Sequence, residues 1–296
     1  MAKSVFSLFT ILFGLSILIF SSSCKKDDDC IETIWYEDAD GDALGNPNVS
    51  RVSCEQPDGF VADNTDPNDT GIASTPLSAF DEFNPDAVTV SFDGNEITIE
   101  SNGLPNHTSP YWEETHPLYI DPVVAVHQTP GRIGGNRSFT LTVPNTPELA
   151  SNGTVTGLGP IGIAVTGVPI FNDLEGPNRP LEEMIIETFD YAGAHNGPSG
   201  YHYHIEAYDV PENTVLSYDD EKLVGIMSDA FLIYGRKCNS TGDHPTDLDD
   251  SGGHFSSTQH SDGEEFYHYH IVNEYYLGNV IALFAGELKG TPNGIQ

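Results

Sequence analysis

The chain has 296 residues, with 11 Lys and Arg against 45 Asp and Glu, for a formal charge of −34. Such acidity repels nucleic acid and anionic membrane surfaces, and no basic patch offsets it, so a nucleic-acid partner is excluded. With 38% hydrophobic and 10% aromatic residues the composition still suits folding, and the length allows one or two domains.

The chain opens on an export signal. Lys3 supplies a short positive region, and Val5 to Phe20 form an apolar run of 16 residues. That falls short of the roughly 20 residues needed to span a bilayer. Ser21, Ser22 and Ser23 then precede Cys24, in the manner of a lipobox. Residues 1–23 are therefore read as a lipoprotein signal peptide and Cys24 as the lipidated residue, so the membrane is reached through a lipid anchor. Removing residues 1–23 takes away Lys3 and no acid, so the charge becomes −35. Residues 24–31 form an acidic tether, and Lys25-Lys-Asp-Asp-Asp29 resembles the surface-export signal of Bacteroidetes-type lipoproteins. The expected location is outside the cell on the outer membrane, facing the exterior; a periplasmic face is the alternative.

Residues 32–70 are dense in Asp, Asn, Pro and Gly and hold few apolar side chains, so they need a metal or a disulfide to fold. Asp38, Asp40 and Asp42 alternate around Gly41, a spacing of hard oxygen donors that suits Ca²⁺. Ala43 and Val49 stand where an EF-hand wants Gly and Glu, so this is not an EF-hand. An exported location permits disulfides. Cys30 with Cys54 would close a 25-residue loop, stabilising the module by about 3 kcal/mol on the chain-entropy account. The run from Tyr36 to Pro47, with Cys54 to Asp63 and Asp66 to Asp69, resembles the MopE-type metal-binding motif. That resemblance implies Asp66 and Asp69 as further ligands beside Asp38, Asp40 and Asp42. Pro67 stands where the motif carries Cys, which redirects Cys54 toward Cys30. The MopE resemblance implies copper, whereas carboxylate donors favour Ca²⁺. A solvated acidic spacer is the plain alternative.

Residues 71–85 read as a linker. Beyond them short apolar runs alternate with period two, as in Ala87–Phe92, Glu96–Glu100 and Ser138–Val143, with 29 Gly and 20 Pro breaking the chain. The expected fold is mostly β: a duplicated sandwich- or barrel-like domain over 86–290, preceded by the small acidic module. The duplication shows in three ordered blocks. Ile161–Phe171 matches Val224–Tyr234 at an offset of 63, Phe189–His195 matches Leu248–His254 at 59, and Tyr201–Ile205 matches Tyr267–Ile271 at 66. The repeats thus run over 161–204 and 224–270, with loops of changing length around a fixed scaffold.

Each copy ends in Tyr-His-Tyr-His. Side chains alternate along a strand, so His202 and His204 share one face while Tyr201 and Tyr203 share the other; His268 and His270 repeat this. Two imidazoles on one strand face can hold one ion, and imidazole suits Zn, Cu, Ni or Fe, with Zn or Cu expected first. Eight of the eleven histidines fall between 195 and 270. Each copy adds an upstream Asp-x-x-Gly-x-His, which makes Asp190, His195, Asp249 and His254 further ligands or partners that orient imidazoles. The four strand histidines converge if the copies face each other; otherwise there are two sites. Structural histidines satisfied by carbonyls or carboxylates are the plain reading. Cys238 is left unpaired and reads as a buried thiol, with soft-metal ligation the alternative.

Gly193 with His195, then Gly200–His204, and the block Ile161–Phe171 resemble the YHYH domain of bacterial exported proteins, as does Asn102-Gly-Leu-Pro-Asn-His107. The resemblance spans about residues 86–290 and implies little about function. Ala194 opposite Gly253, and Pro169 opposite Leu232, make the copies unequal. His107 stands either with the histidine cluster or in a turn. There is no nucleophile elbow, P-loop, dinucleotide fingerprint or His-Glu-x-x-His. Three functions fit. The first is a metal-binding surface lipoprotein with a Ca²⁺-stabilised module. The second is a metal-dependent extracellular enzyme, hydrolase or oxidoreductase, with His195 or His254 as acid/base and the longer insert after His254 as a lid. The third is a structural or adhesion domain with core histidines.

Overall fold

The computed structural model describes residues 31–38, 45–65, 74–122, 128–135, 137–214 and 216–296. The expected signal peptide, Cys24, Cys30, Asp40, Asp42, Asp66 and Asp69 lie outside the described residues. The N-terminal module is a three-stranded sheet of β1 (Thr33–Glu37), β2 (Ser50–Ser53) and β3 (Phe60–Val61), with β1 in the middle. Trp35 pins it by donating Nε1–H to the Ser53 carbonyl at 3.1 Å. None of its described side chains joins the apolar clusters of the rest of the chain, so its own links must hold it. Cys54 is disulfide-bonded, and the other two N-terminal cysteines, Cys24 and Cys30, are both outside the described residues.

The expected linker is partly structured. Leu77–Glu82 forms a 3-10 helix, and Ala79, Phe80 and the following Phe83 are buried against the domain that follows. Their apolar spacing gives the segment a face to bury.

The fold is mostly β. β4 (Val88–Asp93), β5 (Glu96–Ser101) and β6 (Phe139–Pro144) form an antiparallel sheet in the order β4-β5-β6. Ile97, Ile99, Leu141 and Val143 are buried from one face while Glu96 and Glu100 are exposed, the outcome of period-two alternation. Each such aliphatic side chain contributes about 1.5–3 kcal/mol on full burial. β7 (Leu149–Val155) pairs with the last strand, β18 (Glu287–Gly290).

The large sheet carries the duplication. It contains β8 (Gly162–Ala164), β9 (Pro169–Ile170), β12 (Ala194–Gly197), β13 (Gly200–Tyr203), β14 (Leu223–Met227), β15 (Leu232–Tyr234), β16 (Gly253–Ser256) and β17 (Phe266–His270). Between β9 and β12 lie a small hairpin, β10 (Leu174–Glu175) and β11 (Arg179–Pro180), and one short helix, α1 (Glu183–Ile186). The order across the sheet is β12-β13-β9-β8-β14-β15-β17-β16, a palindrome of the two repeats. β8 and β14 meet antiparallel at its centre, where Ile163 pairs with Ile226, and the offset of 63 maps the first onto the second. Gly162 pairs with Met227 and Ala164 with Gly225, which the same offset also exchanges. A local twofold axis therefore passes between Ile163 and Ile226, perpendicular to the sheet.

This axis keeps both repeats on the same sheet face but sends their ends apart. Ile163, Ile226, Leu232 and Tyr234 share a cluster with the inward side chains of β4–β6, so the three-stranded sheet covers the middle of that face as in a sandwich. The opposite face buries Tyr201, Tyr203, Tyr267 and Tyr269 with Ile170, Ile233, Trp112 and Phe284.

Candidate metal centres

The Asp-x-x-Gly-x-His segments build a turn that delivers one histidine to each site. The Asp190 amide donates to the Ala194 carbonyl at 2.8 Å, and its Oδ1 accepts the amides of Ala192 (3.0 Å) and Ala194 (3.4 Å). Asp249 repeats this with the Gly253 carbonyl (2.8 Å) and the amides of Ser251 (2.9 Å) and Gly253 (3.2 Å). Gly193 and Gly252 take φ of 74° and 79°, a region that costs a side-chain-bearing residue about 1–2 kcal/mol. The turn then enters β12 or β16, where His195 pairs with His202 and His254 with His268. Directly opposed residues share a face, so each strand pair gathers three imidazoles.

Among the described residues, two groups bring metal-ligating atoms within 4.8 Å of one another: Glu175, His195, His202 and His204, and Cys238, His254, His268 and His270. In the first, His195 Nε2 lies 3.1 Å from His202 Nε2 and 2.8 Å from Glu175 Oε1, which lies 3.4 Å from His204 Nε2. In the second, His268 Nε2 lies 3.1 Å from His270 Nε2, and Cys238 Sγ lies 3.6 Å from His254 Nε2. A tetrahedral zinc ion separates two nitrogen ligands by about 3.3–3.4 Å, and a nitrogen from a thiolate by about 3.6 Å, given its bond lengths. Both groups sit near those edges.

The proton positions follow from the outer partners. His202 Nδ1 donates to the Gly200 carbonyl (2.8 Å) and His204 Nδ1 to the Asn172 carbonyl (2.6 Å). Thr188 gives its hydroxyl proton to the Ile185 carbonyl (2.6 Å), so it accepts from His195 Nδ1 (2.9 Å). In the second group Nδ1 of His268 donates to the Phe266 carbonyl (3.0 Å), His270 to the Gly235 carbonyl (2.6 Å) and His254 to Asp247 (2.9 Å). The repeat offsets map Gly200 onto Phe266, Asn172 onto Gly235 and Thr188 onto Asp247, so the outer partners are duplicated along with the ligands. Every Nε2 is left as a bare lone pair pointing inward, the state a metal requires.

Burial favours the neutral form of four of these rings. It holds His202 well below the ordinary imidazole range, helped by His204 and His195, and lowers His195. It pushes His268 down to about 3, with His270 adding to the effect, and His270 to about 4. The His195 and His204 imidazoles beside Glu175 hold its carboxyl far below the ordinary carboxylate range. One proton on His195 could bridge to Glu175, but His204 Nε2 would still be buried without a hydrogen-bond partner. An orphaned buried nitrogen beside a carboxylate fits a cation at the centre. Phe171 stacks on His202 at 4.0 Å, and Phe189 lies nearly parallel to His204 at 5.3 Å.

The four Tyr-His-Tyr-His histidines do not form one shared site. β13 and β17 stand five inter-strand steps apart in the sheet, about 24 Å at the usual spacing. Asp190 and Asp249, expected as ligands or imidazole partners, belong to neither group. Their second oxygens accept the first tyrosine of each motif, which points to the opposite face. Tyr201 donates to Asp190 Oδ2 at 2.5 Å and Tyr267 to Asp249 Oδ2 at 3.1 Å. Ser109 also donates to Asp190, and Lys289 pairs with Asp249 at 3.0 Å. His107 is buried on that tyrosine face, with Nε2 2.7 Å from the Tyr203 hydroxyl, and stays apart from the cluster. His195 and His254, the acid/base candidates, sit inside the ligand groups. The insert after His254 is tied down: His260 bonds Glu82 and Tyr234, each at 2.9 Å. Asp38, the one N-terminal ligand candidate within the described residues, lies at the end of β1.

Sequence reasoning did not reach Glu175, and it favoured burial over ligation for Cys238. A signal was present. The offset of 63 that relates Ile161–Phe171 to Val224–Tyr234 continues four residues further and places Glu175 on Cys238. Each half thus supplies its fourth ligand from the same repeat position.

No curated protein and no solved structure matches this chain. A family model does match: residues 140–247 carry the domain described as YHYH protein, a span that includes Glu175, His195, His202, His204 and Cys238 and ends before His254, His268 and His270.

Proposed function

We propose that this chain is an exported, lipid-anchored metal-binding protein whose duplicated sheet holds two transition-metal ions, one per half. The observation that carries the reading is the convergence of three Nε2 lone pairs in each half, with all six Nδ1 protons committed to oxygen acceptors. Protein histidines that merely fill a core share protons with neighbours; these turn lone pairs on one another at 3.1 Å. Zinc fits both donor sets, and copper suits the imidazoles. In this reading Cys24 anchors the protein to the outer membrane facing the exterior. The segment 32–70, with Asp38, Asp40, Asp42, Asp66 and Asp69 as carboxylate donors, takes Ca²⁺ and supports its own small sheet.

A second reading is a metal-dependent enzyme acting outside the cell. One observation favours it at the first site: the Glu175 side chain is 25% exposed, so solvent or a small substrate can reach that ion.

The test is metal analysis of the full mature chain after reconstitution with Zn²⁺ or Cu²⁺. Two ions per chain are expected, one each for His202→Ala and His268→Ala, and none for the double variant. A chain that binds neither metal would overturn the reading. Cys24→Ala should move the protein out of the membrane fraction, and a thermal midpoint unmoved by Ca²⁺ would remove the calcium assignment.

A further inference from the structure

The two centres share three histidines, two of them held by backbone carbonyls in each half, but differ at the fourth ligand, Glu175 in one and Cys238 in the other, and at the partner of the third histidine, Thr188 or Asp247. Resting on the metal-binding reading above, we infer that the pair is functionally unequal. The Cys238 centre is a closed, permanently filled site, and the Glu175 centre is an exchangeable site that adds a small anion or hydroxide to its metal.

The first argument is anchoring. Cys238 is buried, and its amide donates to the Asp243 carbonyl at 2.9 Å while its own carbonyl accepts from Gly242 at 2.7 Å. Two hydroxyls, Ser256 at 2.9 Å and Ser240 at 3.2 Å, lie against its sulfur and can donate to a thiolate. Glu175 instead stands on the two-residue ladder β10–β11, outside the large sheet, opposite an exposed Arg179. Only its Oε1 faces the imidazoles; Oε2 accepts the Gly176 amide at 3.1 Å. A carboxylate on a short peripheral hairpin can rotate or withdraw without disturbing the three histidines.

The second argument is charge. A divalent ion with three neutral imidazoles and one thiolate keeps one positive charge. At the second centre the Asp247 carboxylate, accepting from His254 Nδ1, neutralises it. That partner also makes His254 a stronger donor. At the first centre the equivalent partner is the neutral Thr188 hydroxyl, so a net positive charge remains for an anion to meet. Closed four-ligand thiolate sites are the structural pattern for zinc, whereas an added ligand needs an open position.

The experiment uses the full mature chain loaded with Zn²⁺, mixed with excess pyridylazoresorcinol, and separately loaded with Co²⁺ and titrated with azide. Zinc should leave in a fast and a slow phase of equal size. Glu175→Ala should lose the fast phase, and Glu175→Cys should convert it to a slow one. With Co²⁺, a thiolate charge-transfer band should appear in the parent chain and vanish in Cys238→Ala. Azide should shift the visible bands of the parent but not those of Glu175→Cys. Two ions leaving in one phase, or azide acting unchanged on Glu175→Cys, would overturn this inference alone. A chain that binds no metal would overturn it together with the reading on which it rests.

Discussion

Replacing Asp190 separates a ligand role from a turn role. The residue is 1% exposed and accepts four hydrogen bonds, from the amides of Ala192 and Ala194 and the hydroxyls of Ser109 and Tyr201. Asp190→Ala strands two buried amides, while the two hydroxyls can partly re-aim. At about 1–3 kcal/mol for each buried donor left unmade, the loss should come to about 3–5 kcal/mol. For a domain of this size that lowers the thermal midpoint on the order of 10 °C. Asp190→Asn keeps an oxygen for the two amides and should cost about 1 kcal/mol. Near-ultraviolet circular dichroism through a thermal ramp reads the first variant, and metal content reads the second. The turn role predicts that Asp190→Asn retains two ions per chain. A folded Asp190→Asn lacking one ion, or an Asp190→Ala midpoint within about 2 °C of the parent, would refute it.

Asp249→Ala should cost less, about 1–2 kcal/mol, because that side chain is 31% exposed and Lys289 shares it; urea unfolding of both alanine variants gives the comparison. Gly193→Ala should cost about 3 kcal/mol or more, combining positive φ with backbone crowding, since a Cβ there would press on the Ile205 carbonyl oxygen. Gly252→Ala should be milder, because its Cβ would press only on a side-chain methyl, Val272 Cγ2 at 2.9 Å, and would meet the His270 carbonyl oxygen at an ordinary 3.5 Å; equal midpoints for the two would count against the clash. Asp229 supplies a pH test. Burial raises its carboxyl, although Tyr269 (2.6 Å) and the Gly290 amide (2.9 Å) both donate to Oδ2, and Oδ1 is buried without a partner. The folded state therefore holds the proton more tightly than the unfolded chain. Stability relative to Asp229→Asn should be greatest below the unfolded value of about 3.9 and fall as pH rises through the folded one. Urea midpoints that diverge in the opposite direction would contradict this.

Much of the site was legible in the sequence. Period-two alternation marked the strands, three offsets exposed the duplication, and strand pleating put His202 with His204 and His268 with His270. The Asp-x-x-Gly-x-His segments were visible too, but their chemistry was not. The same residue types that ligate metal also cap turns, and only the register of β12 on β13 shows His195 facing in while Asp190 bonds Tyr201 on the far side. A repeat establishes which residues are equivalent but not where the axis relating them passes. Pairing of Ile163 with Ile226 set that axis, and so separated two sites that the tetrapeptides alone left free to merge. Glu175 and Cys238 reach the histidines through chain reversals that no local pattern encodes, because their contacts are made across the fold. The proposed leader, the proposed lipid anchor at Cys24 and the acidic residues at 40, 42, 66 and 69 rest on sequence: their chemistry is read from residue order, whereas the two candidate metal centres depend on which strands lie side by side.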